Sequence, residues 1–405
     1  MSTHIVGWDI GGAHVKACWL QDGQVRDVVQ WACPLWLGLQ HLAAVLQAAQ
    51  QRWPQLGQAL HAVTMTGEMA DLFTNRADGV QRIAAALARQ LGPATALQFY
   101  AADDGWCSAA AVARHWRQIA SANWLATARH VALALQQRSG DSGDSGASGQ
   151  PTEALLVDIG STTTDLIAVR NGAVLTSTRS DHQRLASAEL VYHGGVRTPR
   201  CVLAQQVPWQ GRPVNVMNEL FATTADVYRL TAELDPVHDQ QPAADGGAKT
   251  AAASRQRLAR LIGLDRADGT AADWLALAHV WRGAQVATLQ VQLARVVALH
   301  GLGQRTLLVT AGCGDFLAPD LLPALTPAPA DGNSVPARAR WLRYADLVAP
   351  CGPPLGPASA AGTAVNTTNW AQVCASAVAV AALRWFALQP SRPGQPAPSP
   401  MPEPA

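Results

Sequence analysis

The chain has 405 residues, 49% of them hydrophobic and 15% charged, and its formal net charge is +1. This composition excludes a disordered protein and predicts a globular one with about two domains. There is no Lys- or Arg-rich run and no apolar stretch of about 18 residues, so we expect neither nucleic acid nor a membrane as a partner.

The seven cysteines are scattered, and none lies at a zinc-binding spacing from another cysteine or a histidine. We expect them to be free buried thiols in a reducing cytoplasm. The N-terminus enters an apolar strand pattern directly, so no signal peptide is expected.

The N-terminal segment HIVGWDIGGAHVKACWL predicts two buried strands joined by a tight turn that begins at Asp9. The dipeptide Asp22-Gly23 then predicts a hairpin turn into a third strand. Apolar residues at helical spacing predict a helix over 37–52, which a Trp-Pro dipeptide ends.

Two more strands are predicted in this half, in AVTMTGEMADL and ALQFYAADDGW, and the second leads into helices at about 108–120 and 123–137. The Gly-, Ser- and Asp-rich run RSGDSGDSGASGQP then predicts a flexible connector. The chain is therefore divided into a first half at 1–138, a linker at 139–152, a second half at 153–388 and a disordered Pro-rich tail at 389–405.

A second copy of the N-terminal unit begins in DIGSTTTDLIAV, where Asp158 takes the place of Asp9 and Asn171-Gly172 supplies the hairpin turn. One DIG tripeptide is explained by a strand-to-turn junction alone, because Asp and Gly favour turns. Two copies in the same pattern indicate two similar halves of one fold.

The rest of the second half alternates between helical and strand-like segments. We expect a helix within 217–230, a loop at 236–254, helices at 271–281 and 284–300, a strand in RTLLVTAGCGDFL, and a buried helix at 371–388.

The order strand-strand-strand-helix-strand-helix in each half resembles the duplicated ribonuclease H-like unit of the actin, sugar kinase and Hsp70 superfamily. That resemblance implies an α/β fold of two lobes with a central cleft, where the two acidic turns face each other. Asp9 and Asp158 are then expected to hold a divalent cation, Mg²⁺ being the expected cofactor.

Glycines and hydroxyl groups beside these aspartates suit a bound di- or triphosphate, because backbone N–H groups can approach phosphate oxygens there. The glycines of TAGCGDF resemble those on the adenosine side of the superfamily's nucleotide site. The expected phosphate-binding residues are Gly11, Gly12, His14, Gly160, Ser161, Thr162, Thr163, Gly312 and Gly314.

Five ordered motifs, GWDIGGAHVKA, TMTGEMAD, DIGSTTTDLIAV, YHGGVRTP and ATTADVYRL, resemble the hydantoinase/oxoprolinase-related proteins of tetrahydromethanopterin-linked C1 metabolism. That group includes a condensing synthase of methanofuran biosynthesis. The resemblance implies a transferase that joins an (aminomethyl)furanylmethyl diphosphate to the phenol oxygen of a tyramine- or tyrosine-type γ-glutamyl acceptor. A small-molecule diphosphate and a phenolic acceptor are therefore the expected partners, and the oligomeric state stays open.

Four residues are candidates for the chemical step in such a reaction. Lys16 is preferred over His14 for neutralising the leaving group, because it is protonated at neutral pH. Glu68 is the first choice of general base and His193 the second. The fourth candidate is Asp226 in ATTADVYRL. Each candidate also has a structural interpretation: Lys16 as an exposed strand lysine, Glu68 as an acid at a helix terminus, and His193 as part of a plain turn. Asp226 would then be a helix residue that hydrogen-bonds a loop.

Two positions depart from the pattern of hydantoinase-type relatives, which carry Thr and an acidic residue where this chain has Ala13 and Lys16. This favours the condensing reaction over ATP-driven ring opening. The alternatives are an ATP-dependent kinase or a hydantoinase/oxoprolinase-like amidohydrolase, for which ATP would be the ligand, and a nucleotide-gated sensor or assembly factor.

Overall fold

The computed structural model describes residues 2–91, 96–141, 153–325, 340–348 and 367–389. The tail predicted at 389–405 lies outside this range except for residue 389. The linker predicted at 139–152 also lies outside it, apart from the backbone of 139–141, which continues the preceding helix.

The first sheet has six strands in the order β3-β2-β1-β4-β5-β6. Its strands β1, β4 and β5 run parallel, while β2, β3 and β6 are antiparallel to their neighbours. Asp22 and Gly23 have φ of 51° and 79°, as the hairpin turn between β2 and β3 requires. The strands are β1 (His4–Ile10), β2 (His14–Gln21), β3 (Gln24–Ala32), β4 (Leu60–Met65), β5 (Ala96–Tyr100) and β6 (Trp106–Ser108).

The second sheet repeats this arrangement, with the order β10-β8-β7-β13-β14 and the short β9 also paired with β8. Here β7, β13 and β14 run parallel and β8 is antiparallel to β7, as in the first sheet. A separate hairpin is formed by β11 and β12. The strands are β7 (Glu153–Ile159), β8 (Thr164–Arg170), β9 (Ala173–Val174), β10 (Leu190–Val191), β11 (Gln206–Trp209), β12 (Arg212–Asn215), β13 (Leu307–Ala311) and β14 (Arg340–Arg343).

Both sheets therefore have the ribonuclease H-like strand order, and the protein has the duplicated two-lobed α/β fold that the sequence predicts. Helices cover the sheets. They are α1 (Gln40–Arg52), α2 (Arg76–Leu91), α3 (Val112–Ile119), α4 (Asn123–Asp141), α5 (Asp181–Ser187), α6 (Thr224–Leu230), α7 (Ala251–Arg260), α8 (Ala271–His300), α9 (Ala318–Leu321), α10 (Tyr344–Val348), α11 (Thr367–Val373) and α12 (Ala375–Leu388).

Two helix predictions were wrong in their boundaries. The helices expected at 271–281 and 284–300 are one continuous helix, α8, because Trp281 and Gln285 are both fully buried and hold the chain on each side of Gly283. The single helix expected at the C-terminus is two, α11 and α12, which are bent by 95°. No single helix in the described part of the chain is long and apolar enough to cross a membrane, and this bent pair passes that test only when its two helices are taken together.

The C-terminal helix α12 returns to the first half of the molecule, where it packs on β1, β2, β4 and α4. Gly7 permits this contact, because a Cβ added there would lie 2.1 Å from the carbonyl oxygen of Ala377. The last helix of the segment that the sequence places in the second half, at 153–388, therefore buries the apolar face of the first sheet. Its residues join a buried cluster that includes strands of both sheets.

Candidate functional site

A cavity of about 600 Å³ lies between the two acidic turns, where β1 and β7 end. The carboxyl ends of parallel strands from both sheets meet there, so the turns of both lobes share one cleft. The structure brings into this cavity ten of the residues singled out from the sequence, namely Asp9, Gly11, Gly12, His14, Lys16, Asp158, Gly160, Ser161, Thr162 and Thr163.

Asp9 and Lys16 face each other across the first strand pair, as directly opposite residues of β1 and β2. The Asp9 carboxylate accepts a hydrogen bond from Ser376 Oγ at 2.5 Å through Oδ2, and its buried Oδ1 accepts none from any described residue. Burial raises the pKa of Asp9, although Lys16 and Ser376 act in the opposite direction. Burial alone would lower the pKa of Lys16, but Asp9 and other acidic groups outweigh it and keep the ammonium group protonated.

Asp158 has a different cross-strand neighbour, because Asp165 stands opposite it in β8. Burial raises the pKa of Asp158 to about 7, against the opposing effect of Lys16. Asp165 is paired with the buried Arg184, whose guanidinium carbon lies 4.2 Å from the ring centroid of Trp124. The second copy of the unit thus places an acid–arginine pair where the first copy places a lysine.

The two glycine turns are closed by their own hydrogen bonds. The N–H of Gly11 donates to the His14 carbonyl oxygen and that of Gly160 to the Thr163 carbonyl oxygen, both at 2.9 Å. Those two N–H groups therefore do not point at a ligand. The buried Ser161 Oγ and His14 Nε2, in contrast, have no partner within the described ranges, and both residues line the cavity.

Arg197 lines the same cavity and was missed as a site residue, although its motif, YHGGVRTP, was recognised. Its backbone N–H donates to the Ser161 carbonyl oxygen at 2.9 Å, and its guanidinium carbon lies 5.2 Å from the ring centroid of Trp36. Burial, followed by the nearby Lys16 and Arg197, lowers the pKa of His14 to about 3, so this imidazole is neutral. Lys16 and Arg197 are two cations that line the cavity together with the glycine turns.

Neither residue chosen from the sequence as a general base lines the cavity. Glu68 is 1% exposed, and its Oε1 accepts hydrogen bonds from Ser121 Oγ at 2.7 Å and Arg76 Nη2 at 3.2 Å. Burial and the charge of Arg200 lower the pKa of His193 to about 4, and its carbonyl oxygen accepts a hydrogen bond from Thr164. A position near the end of a strand does not by itself determine whether a side chain points into the cleft.

Asp226 has a structural role, which corrects its choice as a catalytic residue. It caps α6 by accepting from the N–H of Thr223 at 3.1 Å. It also accepts from Ser254 Oγ at 2.7 Å and from Arg257 at 2.9 Å, deep in the second lobe. A carboxylate with these partners is already satisfied and lies away from the cavity.

Gly312 and Gly314 do not line the cavity either. Their N–H groups donate, each at 2.9 Å, to the carbonyl oxygens of Gln372 and Ile159. Both glycines therefore join β13 to its neighbours and offer no N–H group to a phosphate.

Asp9 and Asp158 supply some, but not all, of the ligands that a divalent cation needs. No group of three or more His, Cys, Asp or Glu side chains in the described residues is placed to hold a metal. Asp9 Oδ1 is an unfilled carboxylate acceptor, and Asp158 lines the same cavity. Mg²⁺ is commonly bound by one or two carboxylates together with substrate phosphates and water, so this donor set suits a metal that arrives with a phosphate ligand.

The duplicated sheets and the cleft between their acidic turns define a two-lobed α/β protein with the duplicated ribonuclease H-like fold. The model of the hydantoinase/oxoprolinase family matches residues 59–325, more than half of the chain. The chain therefore belongs to this family.

Two relatives carry the name (4-{4-[2-(gamma-L-glutamylamino)ethyl]phenoxymethyl}furan-2-yl)methanamine synthase. The protein from Methanocaldococcus jannaschii is 26% identical over 266 residues, which are 66% of this chain and 73% of that protein. The protein from Methanococcus vannielii is 26% identical over 196 residues, 48% of this chain and 86% of that protein. Both relatives and the family are named as enzymes, so we conclude that this protein is an enzyme.

Solved structures with a similar fold include a ROK family glucokinase from Streptomyces griseus, at 12% identity and a TM-score of 0.43, covering 94% of this chain and 98% of that one. A nucleotide-free acetone carboxylase has 10% identity and a TM-score of 0.47, covering 80% of this chain and 67% of that one.

Proposed function

We propose that this protein is a transferase of methanofuran-type cofactor biosynthesis. It would join an (aminomethyl)furanylmethyl diphosphate to the phenol oxygen of a tyramine- or tyrosine-type γ-glutamyl acceptor and release diphosphate. The names of both relatives describe an aryl ether between such a phenol and an aminomethylfuran. Their similarity supports the same kind of product here.

The observation that carries the proposal is that two cations and one unfilled hydroxyl donor line the same cavity. Lys16 comes from the first lobe and Arg197 from the second, and Ser161 Oγ is a buried hydroxyl without a partner in the described part of the chain. A diphosphate group has enough oxygens to accept from all three. Charge-assisted hydrogen bonds of this kind are about twice as strong as neutral ones.

The reaction breaks the bond between the furanylmethyl carbon and the diphosphate oxygen. A new bond forms between that carbon and the phenol oxygen, and the phenol proton is released. Negative charge grows on the departing diphosphate, so Lys16 and Arg197 would stabilise the transition state more than the ground state. Asp9 and Asp158 would hold Mg²⁺, which supplies further positive charge to the diphosphate when it is bound.

Neither of the two predicted general bases is given a role in the proposed reaction. Glu68 and His193 do not line the cavity, so the proposal gives neither of them direct contact with the phenol. Positioning of the acceptor against a reactive carbon can itself lower the barrier substantially.

An ATP-dependent amide-cleaving enzyme is the second candidate, because it is what the family name suggests. In that case ATP would be the ligand of the cleft. The N–H groups of Gly312 and Gly314 are occupied by protein acceptors, which disfavours a nucleotide at these glycines.

A thermal-shift experiment separates the two candidates. The protein is melted with Mg²⁺ alone, with Mg²⁺ and inorganic diphosphate, and with Mg²⁺ and ATP, because a ligand that binds only the native state raises the melting temperature. We expect stabilisation by diphosphate, little by ATP, and loss of the diphosphate effect in Asp158→Ala and Lys16→Met. Arg212→Met removes an exposed cation outside the cavity and should leave the effect intact. Greater stabilisation by ATP than by diphosphate would overturn the proposal.

A further inference from the structure

Five ionisable side chains form an alternating series that leads from the protein interior to the cleft, and we call it the acid–arginine chain. Arg76 lies 3.2 Å from Glu68 and 3.8 Å from Asp181. Arg184 lies 3.9 Å from Asp181 and is paired with Asp165 at the other end. The order is therefore Glu68, Arg76, Asp181, Arg184, Asp165, and the last three line the cavity.

The acid–arginine chain carries one more carboxylate than guanidinium groups. Its members are largely withdrawn from water, with side-chain exposures of 0% for Glu68, 2% for Arg184 and 18% for Asp181. Lys16 faces Asp9 and lies near Asp158, and among the charged groups that act on the pKa of Asp165 it ranks after Arg184 and Asp181. Burial raises the pKa of Glu68 even beside Arg76, so a further cation near this cluster would favour the ionised carboxylates.

Asp181 is the member with room for another donor. Both of its arginine neighbours are beyond hydrogen-bond distance, at 3.8 and 3.9 Å. Within the described residues, only Ser121 Oγ, at 2.9 Å from Oδ2, is close enough to donate to it.

Ser121 cannot satisfy both acids that it touches. Its Oγ also lies 2.7 Å from Glu68 Oε1, and a hydroxyl group has a single proton to donate. The other oxygen of the same carboxylate, Glu68 Oε2, is buried and accepts from no described residue. The acceptors of this cluster therefore outnumber the donors that the described protein provides.

We propose that the acid–arginine chain, through Asp181, binds the primary ammonium group of the furan substrate. This inference rests on the proposed function, in which the substrate carries an aminomethyl group. An ammonium group supplies one positive charge and three N–H donors, which are what the cluster lacks.

The position of the acid–arginine chain suits a small ring between two charged groups. Asp165, at its inner end, stands opposite Asp158 in the sheet, and directly opposite residues have Cβ atoms about 5 Å apart. The acid–arginine chain thus begins one strand away from Asp158, in the region proposed to bind the diphosphate. A substrate with an ammonium group at one end and a diphosphate at the other would be held in a single orientation.

The test uses two unreactive ligands with a diphosphonate in place of the diphosphate. One carries the aminomethyl group on the furan, and the other carries a methyl group there. Their dissociation constants are measured by calorimetry with Mg²⁺, for the full-length wild-type protein and for Asp181→Asn. We expect the wild type to bind the ammonium ligand at least tenfold more tightly, and Asp181→Asn to bind the two ligands within about threefold.

A matched control and inorganic diphosphate make the result specific. Asp71→Asn alters an exposed carboxylate that lines the same cavity but lies outside the acid–arginine chain, and it should keep the preference. Asp181→Asn should still bind inorganic diphosphate as the wild type does, which also shows that it folds.

Three results overturn the inference, and they differ in whether they also overturn the proposed function. Equal binding of both ligands by the wild type, or a preference retained in Asp181→Asn, overturns the inference and leaves the proposed function standing. Failure of the wild type to bind either ligand or inorganic diphosphate overturns the proposed function and the inference with it.

Discussion

Lys16 and Asp165 occupy the same place in the two copies of the repeated strand pair, opposite Asp9 and Asp158, yet they carry opposite charges. A duplicated fold would otherwise give two chemically similar walls. Lys16 places a cation on the side of the first lobe, whereas Asp165 forms an ion pair with Arg184 on the side of the second lobe. This difference of one residue gives the cleft a cationic region at Lys16, where we propose diphosphate binding, and an acidic region at Asp165, where we propose ammonium binding.

Glu189 offers a test of the structure that does not depend on function. It is 1% exposed, and its carboxylate accepts from His300 at 2.8 Å and from the hydroxyls of Thr176, Thr178 and Ser187. Burial alone would raise the pKa of Glu189, but these donors, led by His300, lower it to about 2. A pKa depressed on folding contributes stability above the unfolded value of about 4.3 that is lost as the pH falls toward the folded value.

We therefore predict that Glu189→Gln lowers the free energy of unfolding at pH 7 by about 3 kcal/mol. The loss should shrink as the pH falls from about 4.5 toward 2, because protonation then removes the same charge from the wild type. Urea unfolding from pH 7 to the lowest pH of cooperative folding measures this. Glu219→Gln, at an exposed position, serves as the control, and a pH-independent difference would contradict the prediction.

At the scale of elements, α8 is continuous although the local sequence around Gly283 predicts a break, because tertiary contacts hold the helix together there. Gly283 is exposed in the middle of this helix, and a Cβ there would meet nothing within 4 Å. Gln285 holds the adjacent turn by donating to the Gly194 carbonyl oxygen at 3.1 Å and accepting from Tyr228 at 2.7 Å.

Gly283→Ala should accordingly raise the free energy of unfolding by about 0.5–1 kcal/mol, because glycine is a poor residue for a helix interior. The midpoint of urea unfolding is the measurement. Destabilisation would mean that α8 is interrupted at this position, as the sequence pattern alone suggested.

The packing of α12 on β1 gives the opposite expectation for another glycine. Gly7→Ala would place its Cβ 2.1 Å from the Ala377 carbonyl oxygen, so we predict a loss of about 1–3 kcal/mol or more in unfolding free energy. Gly57→Ala is the matched control, because no atom lies within 4 Å of its added Cβ. Equal stability of the two variants would show that α12 does not dock on the first sheet.

At the scale of the whole molecule, the cleft is complete only when both lobes contribute. Arg197 of the second half stacks on Trp36 of the first, Gln241 donates to the Ala13 carbonyl oxygen at 2.6 Å, and Ser376 binds Asp9. These contacts link segments far apart in sequence at the edge of the cavity. A ligand between the lobes should therefore couple them energetically.

A double-mutant cycle with Lys16→Met and Arg197→Met tests this coupling. We expect each single change to weaken inorganic diphosphate binding about tenfold or more, since hydrogen bonds to charged groups contribute about 1.5–3 kcal/mol. The double variant should depart from additivity by at least about 0.5 kcal/mol, because both cations act on one ligand. Calorimetric titration provides the values, and strictly additive losses would place the two side chains at separate sites.

The sequence by itself determined the repeated unit. The apolar alternation, the two DIG turns and the Asp-Gly and Asn-Gly hairpins are local signals, because a strand and its tight turn depend on neighbouring residues. They predicted two similar halves of one fold, and the resemblance to the actin, sugar kinase and Hsp70 superfamily implied that Asp9 and Asp158 meet in one cleft. They also located Lys16 and the hydroxyl-bearing turn at Ser161.

Only the tertiary structure decided which other side chains reach the cavity. Glu68 and Asp226 are acids in recognisable motifs, but each is buried against arginines and does not line the cleft. Arg184 lies in it without a distinctive local pattern, and Arg197 lies in it within a recognised motif that does not by itself single out the arginine. The physical reason is that a side chain's surroundings, and the return of α12 to the first sheet, depend on long-range packing that neither periodicity nor turn chemistry encodes.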